Sequence, residues 1–379
     1  MQHSADVAIV GGGIVGLMTA RNLAAEGLDV VLLEAGDLGA AASGANAGSI
    51  HLQLQYAEFI ERGPDWARAY APCLRFLSRS LELWGDLADE LGADLGIKLT
   101  GGLIVAKTED QMRFIREKNA IEAEAGVITE TIGRNELLAM APYLADDSIG
   151  GGFCAMEGKA NPLRVTPALA DAVVRSGVRI MTKTAVSGIE RNGAAYCLST
   201  DGGDVRAGRI VNATGALAAR VGAMVGTVIP VNGHPLQVTV TEPVAPIIPH
   251  LVYSAAGKLS LKQLENGGCV VGGGWPARQR ANGTLATDPM NFAGNMVIAA
   301  GVAPAVAQAR ALRSWTAWVN GTPDSHPIIG EDPNNPGIFH AVYPWVGFSA
   351  GPMTARVAAD LVLGRAPEMP LSGISRLFH

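Results

Sequence analysis

Six residues near the start of the chain, Gly11-Gly12-Gly13-Ile14-Val15-Gly16, satisfy the spacing GxGxxG, and an acid, Glu34, follows 23 positions after Gly11. Each glycine has its own physical task in such a pattern. Gly11 permits a tight turn, Gly13 lets the backbone approach a pyrophosphate, and Gly16 lets a helix pack close on a strand. A helix starting there aims free N–H groups and the positive end of its dipole at an anion. A carboxylate at the offset of Glu34 suits ribose hydroxyls. The chemistry is dinucleotide binding; the alternative, for glycines alone, is a structural turn.

Elements of the right kind flank these residues. Asp6–Val10 reads as a short strand buried on both faces, Leu17–Glu26 as a helix closed by Gly27, and Asp29–Leu33 as a second buried strand. Downstream segments favour a flavin over a nicotinamide. A loop of small residues, Ala41–Ser49, follows the second strand and lets backbone wrap a flat, bulky ligand. Ile210–Gly215 reads as a strand ending in an Ala-Thr-Gly turn. Near the end of the chain Asp324–Gly330 precedes a strand, Gly337–Val342, and a turn at Gly347 and Gly351 opens a helix over Met353–Gly364. A two-lobed flavoprotein uses such a return, because the last glycine-rich helix start can meet the isoalloxazine ring.

The 379 residues carry a net charge of -6, which argues against nucleic acid as a partner. A hydrophobic fraction of 48% provides for a large core, and the length suggests two or three domains. The four cysteines, Cys73, Cys154, Cys197 and Cys269, have no metal-ligand spacing, so no metal site is expected, and their scatter fits a reducing cytoplasm. No signal peptide and no run of about 18 apolar residues is apparent, so no transmembrane segment is expected either.

On Gly11 to Gly16 with Glu34, Ser43 to Ser49, Glu157-Gly-Lys-Ala-Asn-Pro-Leu163, Asn212 to Gly215, Pro323 to Gly330 and Gly347 to Pro352, the sequence resembles the D-amino-acid-oxidase-like flavoproteins. These include glycine oxidase, sarcosine oxidase and the β-subunits of opine oxidases and hydrogen cyanide synthase. The segment Glu157–Leu163 most resembles the opine-oxidase and cyanide-synthase proteins. The resemblance implies an α/β fold: an FAD-binding Rossmann-like domain (1–80, 146–225 and 322–379) and a substrate domain (81–145 and 226–321) built on a mixed, mostly antiparallel sheet with helices. It implies FAD contacts at Gly11, Gly13, Gly16, Glu34, Ser43, Asn46, Ala47, Gly48, Ala213, Thr214, Gly215, Gly347, Phe348 and Ser349, and a backbone contact from Val186 to adenine. Attachment is expected to be non-covalent, since no cysteine lies near Gly347–Pro352 and no histidine in Asn161–Val165.

In this family the flavin takes a hydride from the carbon beside an amine, so no strong protein base is required. The expected anchors for a substrate carboxylate are replaced, with Val319, Trp345 and Ser260 at their positions. Trp318 and Trp345 then suggest a more apolar pocket. Lys262 or Arg278 could supply the missing cation, and Lys258, Ser260 and Lys262 should share one face of a strand. His51 follows the flavin loop, where side chains can face the ring. Tyr253 could touch substrate, Trp345 borders the last turn, and His234 is a weaker candidate. The mixed charges from Glu109 to Glu124 read as a solvated helix face. Three functions follow from the resemblance. One is an opine-like secondary-amine dehydrogenase subunit, with partner chains carrying electrons onward and room for a second flavin, FMN, at a subunit interface. The others are a self-sufficient glycine or D-amino-acid oxidase and a non-catalytic FAD scaffold.

Overall fold

The computed structural model describes residues 3–245 and 247–378. The apolar run Val7–Val10 is buried because its strand, His3–Val10, lies inside an eight-stranded sheet with parallel neighbours on both sides. The order across that sheet is Ile328–Glu331, Ile338–Val342, Val205–Asn212, His3–Val10, Val30–Leu33, Arg179–Met181. An antiparallel pair, Val186–Asn192 and Ala195–Thr200, joins it through Val205–Asn212. The helix Ile14–Ala25 returns between the first two strands, and the C-terminal helix Gly351–Val362 packs beside it.

A second eight-stranded sheet runs Ala311–Gly321, Asn232–Pro243, Gly268–Gly272, Ser260–Gln263, Leu251–Ser254, Gly102–Ala106, Gly150–Cys154, Glu130–Gly133. Only the pairing of Leu251–Ser254 with Gly102–Ala106 is parallel. The architecture is therefore α/β, a Rossmann-like sheet beside a mixed, mostly antiparallel one. One segment differs from expectation. The strand Gly150–Cys154 lies within 146–225, yet it pairs with Gly102–Ala106 in the second sheet. Its glycines permit this, since a Cβ on Gly151 would sit 2.3 Å from the Ile104 carbonyl oxygen.

The helix Tyr56–Leu91 packs against the helix Glu109–Glu124 and the C-terminal helix Gly351–Val362. Gly63, at φ 80°, breaks it before Pro64, so the short helical piece from Tyr56 to Arg62 stands apart from the rest. The remainder buries Leu74, Leu77, Leu81, Trp84 and Leu91 as the predicted core stripe. The helix Glu109–Glu124 corrects a prediction. Lys118 and Glu122 are fully buried and paired at 2.7 Å, not solvated, because the long helix and the segment after His51 cover this face. No helix among the described residues is long and apolar enough to cross a membrane.

Candidate functional site

The glycine turn ends the first strand and begins the first helix. Gly11 adopts φ 109°, and a Cβ there would lie 2.6 Å from the Ala213 carbonyl oxygen. A Cβ on Gly16 would lie 1.9 Å from the Gly11 carbonyl oxygen. These two glycines are required by backbone approaching backbone. Gly13 is different. Its φ of -79° is open to any residue, and its Cβ would meet only the Ser43 side chain, with the hydroxyl at 2.9 Å. The fold alone does not demand glycine at position 13; an anion brought against the backbone would. Gly13 caps the helix without a side-chain acceptor, and the Ile14 N–H donates to Ser43 Oγ at 2.9 Å. Glu34 accepts the Gly12 and Gly36 N–H groups at 2.7 Å, one on each oxygen, which leaves acceptor capacity for hydroxyls. This residue set fits a dinucleotide.

The other expected cofactor positions are distributed as follows. Asn46 folds its loop by donating to the Ser43 carbonyl and accepting the Gly48 N–H, both at 2.6 Å. Ala47 lines a cavity beside its loop, and Gly48, at φ 77°, lies against the Ala160 carbonyl. Ala213 donates to the Val10 carbonyl, Thr214 bonds to Asn212, and Gly215 opens a short 3-10 turn. Gly347 approaches the Tyr343 carbonyl, and Phe348 packs on Trp84 at 4.8 Å. Ser349 accepts the His51 N–H on its hydroxyl and the Trp84 and Ser80 donors on its carbonyl. Val186 is buried at the start of its strand, in the antiparallel pair that flanks the parallel sheet.

A cavity of about 460 Å³ opens where the loop Ala42–His51, the strand starting at Ser260 and the turn at Trp345 converge. His51, Tyr253, Ser260, Val319 and Trp345 all line it. His51 Nδ1 lies 2.6 Å from the Tyr253 hydroxyl. Burial, with Lys262 nearby, pulls the His51 imidazole down to about 3, so the ring is neutral at ordinary pH. Burial, then the neighbouring Glu157, pushes the Tyr253 phenol well above its usual value. Trp345 holds φ 59°, a left-handed conformation uncommon for a bulky side chain, and its ring packs on His234 at 4.5 Å.

Lys262 sits below the cavity floor rather than in it. It is fully buried and donates to Ser49 Oγ at 2.5 Å and Ser260 Oγ at 3.3 Å. Burial, reinforced by Lys159, lowers its pKa from 10.5 to about 7. The folded chain therefore binds fewer protons here than the unfolded chain between those two values, and stability rises with pH across that window. The expected result is a wild-type melting temperature that climbs as pH rises from about 7 toward about 10, and a visibly flatter climb for Lys262→Met. Equal slopes in thermal scans of both proteins would refute the depressed lysine.

Three expectations are corrected. Arg278 is exposed in a small hairpin, Arg278–Gln279 with Leu285–Ala286, and does not line the cavity. Trp318 is also off the lining; Trp315 takes the inner position and donates to the Ala45 carbonyl at 2.6 Å. Lys258 stands at the cavity rim, outside the strand proper. The sequence pattern did not disclose Glu58, Glu61 and Arg62, which line the outer cavity from the helical piece ahead of Gly63. The Gly63-Pro64 break was the available signal. Nor did it disclose the buried roles of Glu157 and Ser49.

A family model described as FAD dependent oxidoreductase (DAO) matches residues 6–361. Glycine oxidase of Geobacillus kaustophilus is 29% identical, with all of this chain and 98% of that protein covered. One of the subunits of opine oxidase from Rhizobium meliloti is 28% identical, covering 89% of this chain and 88% of that one. The crystal structure of the Geobacillus kaustophilus glycine oxidase superposes with a TM-score of 0.86 at 27% identity, covering 100% of this chain and 99% of that one.

Proposed function

The chain belongs to the family of FAD-dependent oxidoreductases, and from that premise we propose that it oxidises a secondary amine or amino-acid derivative of opine type. Bound FAD supplies the acceptor for the hydride leaving the carbon beside the amine. Gly13 would let the backbone meet its pyrophosphate in a turn shaped by Gly11 and Gly16, Glu34 would hold a ribose, and the loop Ser43–Gly48 with Gly347–Ser349 would meet the ring. Everything else falls to polar groups around the cavity. A neutral His51 can receive an amine N–H without repelling a cation. Tyr253 orients that imidazole, and Trp345 walls the outer side. Lys262 stands behind Ser49, close enough to act on the ring site without meeting substrate.

The observation that carries the opine-type reading is the distribution of charge in the cavity. The strand Ala311–Gly321 lines the cavity with Val319 and Ala317, while Glu58, Glu61 and Arg62 line it from the helical piece ahead of Gly63, Glu58 and Arg62 paired at 3.1 Å, and Lys258 from the segment before Ser260. A substrate with a second charged group away from the reacting carbon matches this pattern better than glycine, whose charges lie beside that carbon. By likeness to the Rhizobium meliloti opine oxidase subunit, the proposed enzyme works with partner chains, and its free cysteines suit a reducing cytoplasm. A second flavin, FMN, would have to draw its phosphate's cations from Lys98 and Arg164, both paired with Glu265 in the groove they line with Lys159. The full-length match to a glycine oxidase favours a second reading, a self-sufficient oxidase.

Anaerobic bleaching of the oxidised-flavin absorbance against a panel of amino acids and N-substituted derivatives separates the two. Bleaching by an opine or another secondary amine, with little peroxide in air, is the expected outcome. Bleaching by glycine or a simple D-amino acid with rapid peroxide release would overturn the opine-type reading.

A further inference from the structure

We propose that His340 positions the Ala213–Gly215 turn for the cofactor, and that it does so only as a neutral imidazole protonated on Nε2. The inference rests on the proposed contact of FAD with that turn and is independent of the substrate. His340 lies in the strand Ile338–Val342, opposite Asn212 of the neighbouring strand, and its side chain has no exposure. Each ring nitrogen meets one partner: Nδ1 lies 3.2 Å from Asn212 Nδ2, and Nε2 lies 3.1 Å from Asp332 Oδ2. Backbone groups around Asn212 decide where the ring proton sits. Asn212 Oδ1 receives the Thr214 hydroxyl at 2.7 Å and the Thr214 N–H at 3.4 Å, while Asn212 Nδ2 donates to the Ala218 carbonyl at 3.1 Å. A peptide N–H only donates and a carbonyl only accepts, so turning the amide over would set donor on donor and acceptor on acceptor. The nitrogen of Asn212 therefore faces His340, and Nδ1 must accept from it. The one proton of the neutral ring is left on Nε2, where Asp332 receives it.

The consequence reaches the glycine turn through Asn212. Its amide ties Thr214 back to the strand end and joins the turn to Ala218, where the helix Ala218–Met224 begins. The Ala213 N–H donates to the Val10 carbonyl at 2.9 Å, and a Cβ on Gly11 would lie 2.6 Å from the Ala213 carbonyl oxygen. A shift of Asn212 is therefore felt where backbone must approach the pyrophosphate. His340 acts one strand away, as a positioning residue. A second proton would reverse its contact: imidazolium donates from both nitrogens, so Nδ1–H would point at the Asn212 amide hydrogens. Burial opposes that proton and holds the imidazole below its ordinary value, although Asp332 favours it. Asp332 is the charged group on the ring. On the elements packed around this strand, Arg206, Arg209, Arg220, Glu331 and Arg356 are exposed, and Asp360 interacts with Arg356 instead.

Nitrogen-15 NMR of histidine-labelled protein without FAD reads the tautomer directly. The His340 signal, identified by its loss in His340→Gln, is expected to show protonated Nε2 at neutral pH. His340→Gln keeps an acceptor and a donor on one planar group and does not titrate. His340→Leu leaves the Asn212 amide and the Asp332 carboxylate without that partner. At pH about 7.5, His340→Leu should bind FAD at least about tenfold more weakly than the wild type, and His340→Gln within about threefold of it. FAD selects the neutral ring, so wild-type affinity should be full near neutral pH and decline as pH falls below about 6.5, while that of His340→Gln holds. If His340→Leu does not accumulate folded, the two pH profiles carry the test. A His340 signal with protonated Nδ1 overturns the proposal. So does unchanged FAD affinity in a folded but less stable His340→Leu, which would mark a merely structural role, or parallel pH profiles in wild type and His340→Gln. Unchanged FAD affinity in Gly13→Val would instead sink the reading of the cofactor site, because the tautomer is measured without cofactor.

Discussion

Gly13→Val is expected to purify as a folded, colourless protein. The neighbouring glycines cannot serve this test. A Cβ on Gly16 would strike the Gly11 carbonyl at 1.9 Å and one on Gly11 the Ala213 carbonyl at 2.6 Å, so both changes would break backbone packing between the first strand, the first helix and the turn after Val205–Asn212. At Gly13 the backbone angles are ordinary and only the Ser43 side chain stands in the way. Displacing Ser43 from the Ile14 N–H costs about 1 kcal/mol, which a domain tolerates. The valine methyls, however, occupy the space in front of the helix N-terminus, where the pyrophosphate needs backbone contact. A loss of at least about 100-fold in FAD affinity, about 3 kcal/mol, is expected. Circular dichroism should match the wild type, and reconstitution with FAD should fail at concentrations that saturate the parent. A yellow Gly13→Val protein of unchanged affinity would place the phosphate elsewhere.

That prediction could be framed from sequence because its residues are close together in the chain. Strand, turn, helix and acid fall within Asp6–Glu34, so their spacing alone states the geometry. The same holds for the turn at Gly347–Ser349, which precedes a helix the pattern also shows. The substrate side was legible only in part. Ser260 and Lys262 alternate as read, while Lys258 falls outside the strand; alternation says nothing of depth, and Lys262 lies beneath the floor with its amine on Ser49. Trp315 and Trp318 show the converse limit. They lie on one strand three positions apart, which puts them on opposite faces, so choosing the inner one requires the register against Asn232–Pro243. Glu157 was visible as part of a segment, yet its role depends on backbone a hundred residues earlier.

The charged helix Glu109–Glu124 shows most plainly why local pattern fell short, and it carries the second large effect. Lysine four residues before glutamate looks the same in sequence whether the pair is bathed in water or sealed. Here both side chains have no exposure; Lys118 Nζ lies 2.7 Å from each Glu122 oxygen, and Glu122 also receives Leu54 N–H at 2.7 Å and the Thr129 hydroxyl at 2.5 Å. Lys118→Met should therefore cost about 3–5 kcal/mol, because it strands a buried carboxylate, whereas an exposed pair of the same spacing would cost about 0.5 kcal/mol or less. Denaturant midpoints of FAD-loaded protein measure the difference. The double variant Lys118→Met with Glu122→Gln should recover much of the loss, since a neutral amide oxygen can still accept Leu54 N–H with no charge left to balance. Recovery would show that the penalty is an unpaired charge rather than lost packing. A single variant within about 0.5 kcal/mol of the wild type would refute the sealed pair. Because Leu54 lies three residues past His51, the same single variant should also loosen the segment that carries the imidazole, so flavin reduction should fall alongside stability and return with it in the double variant.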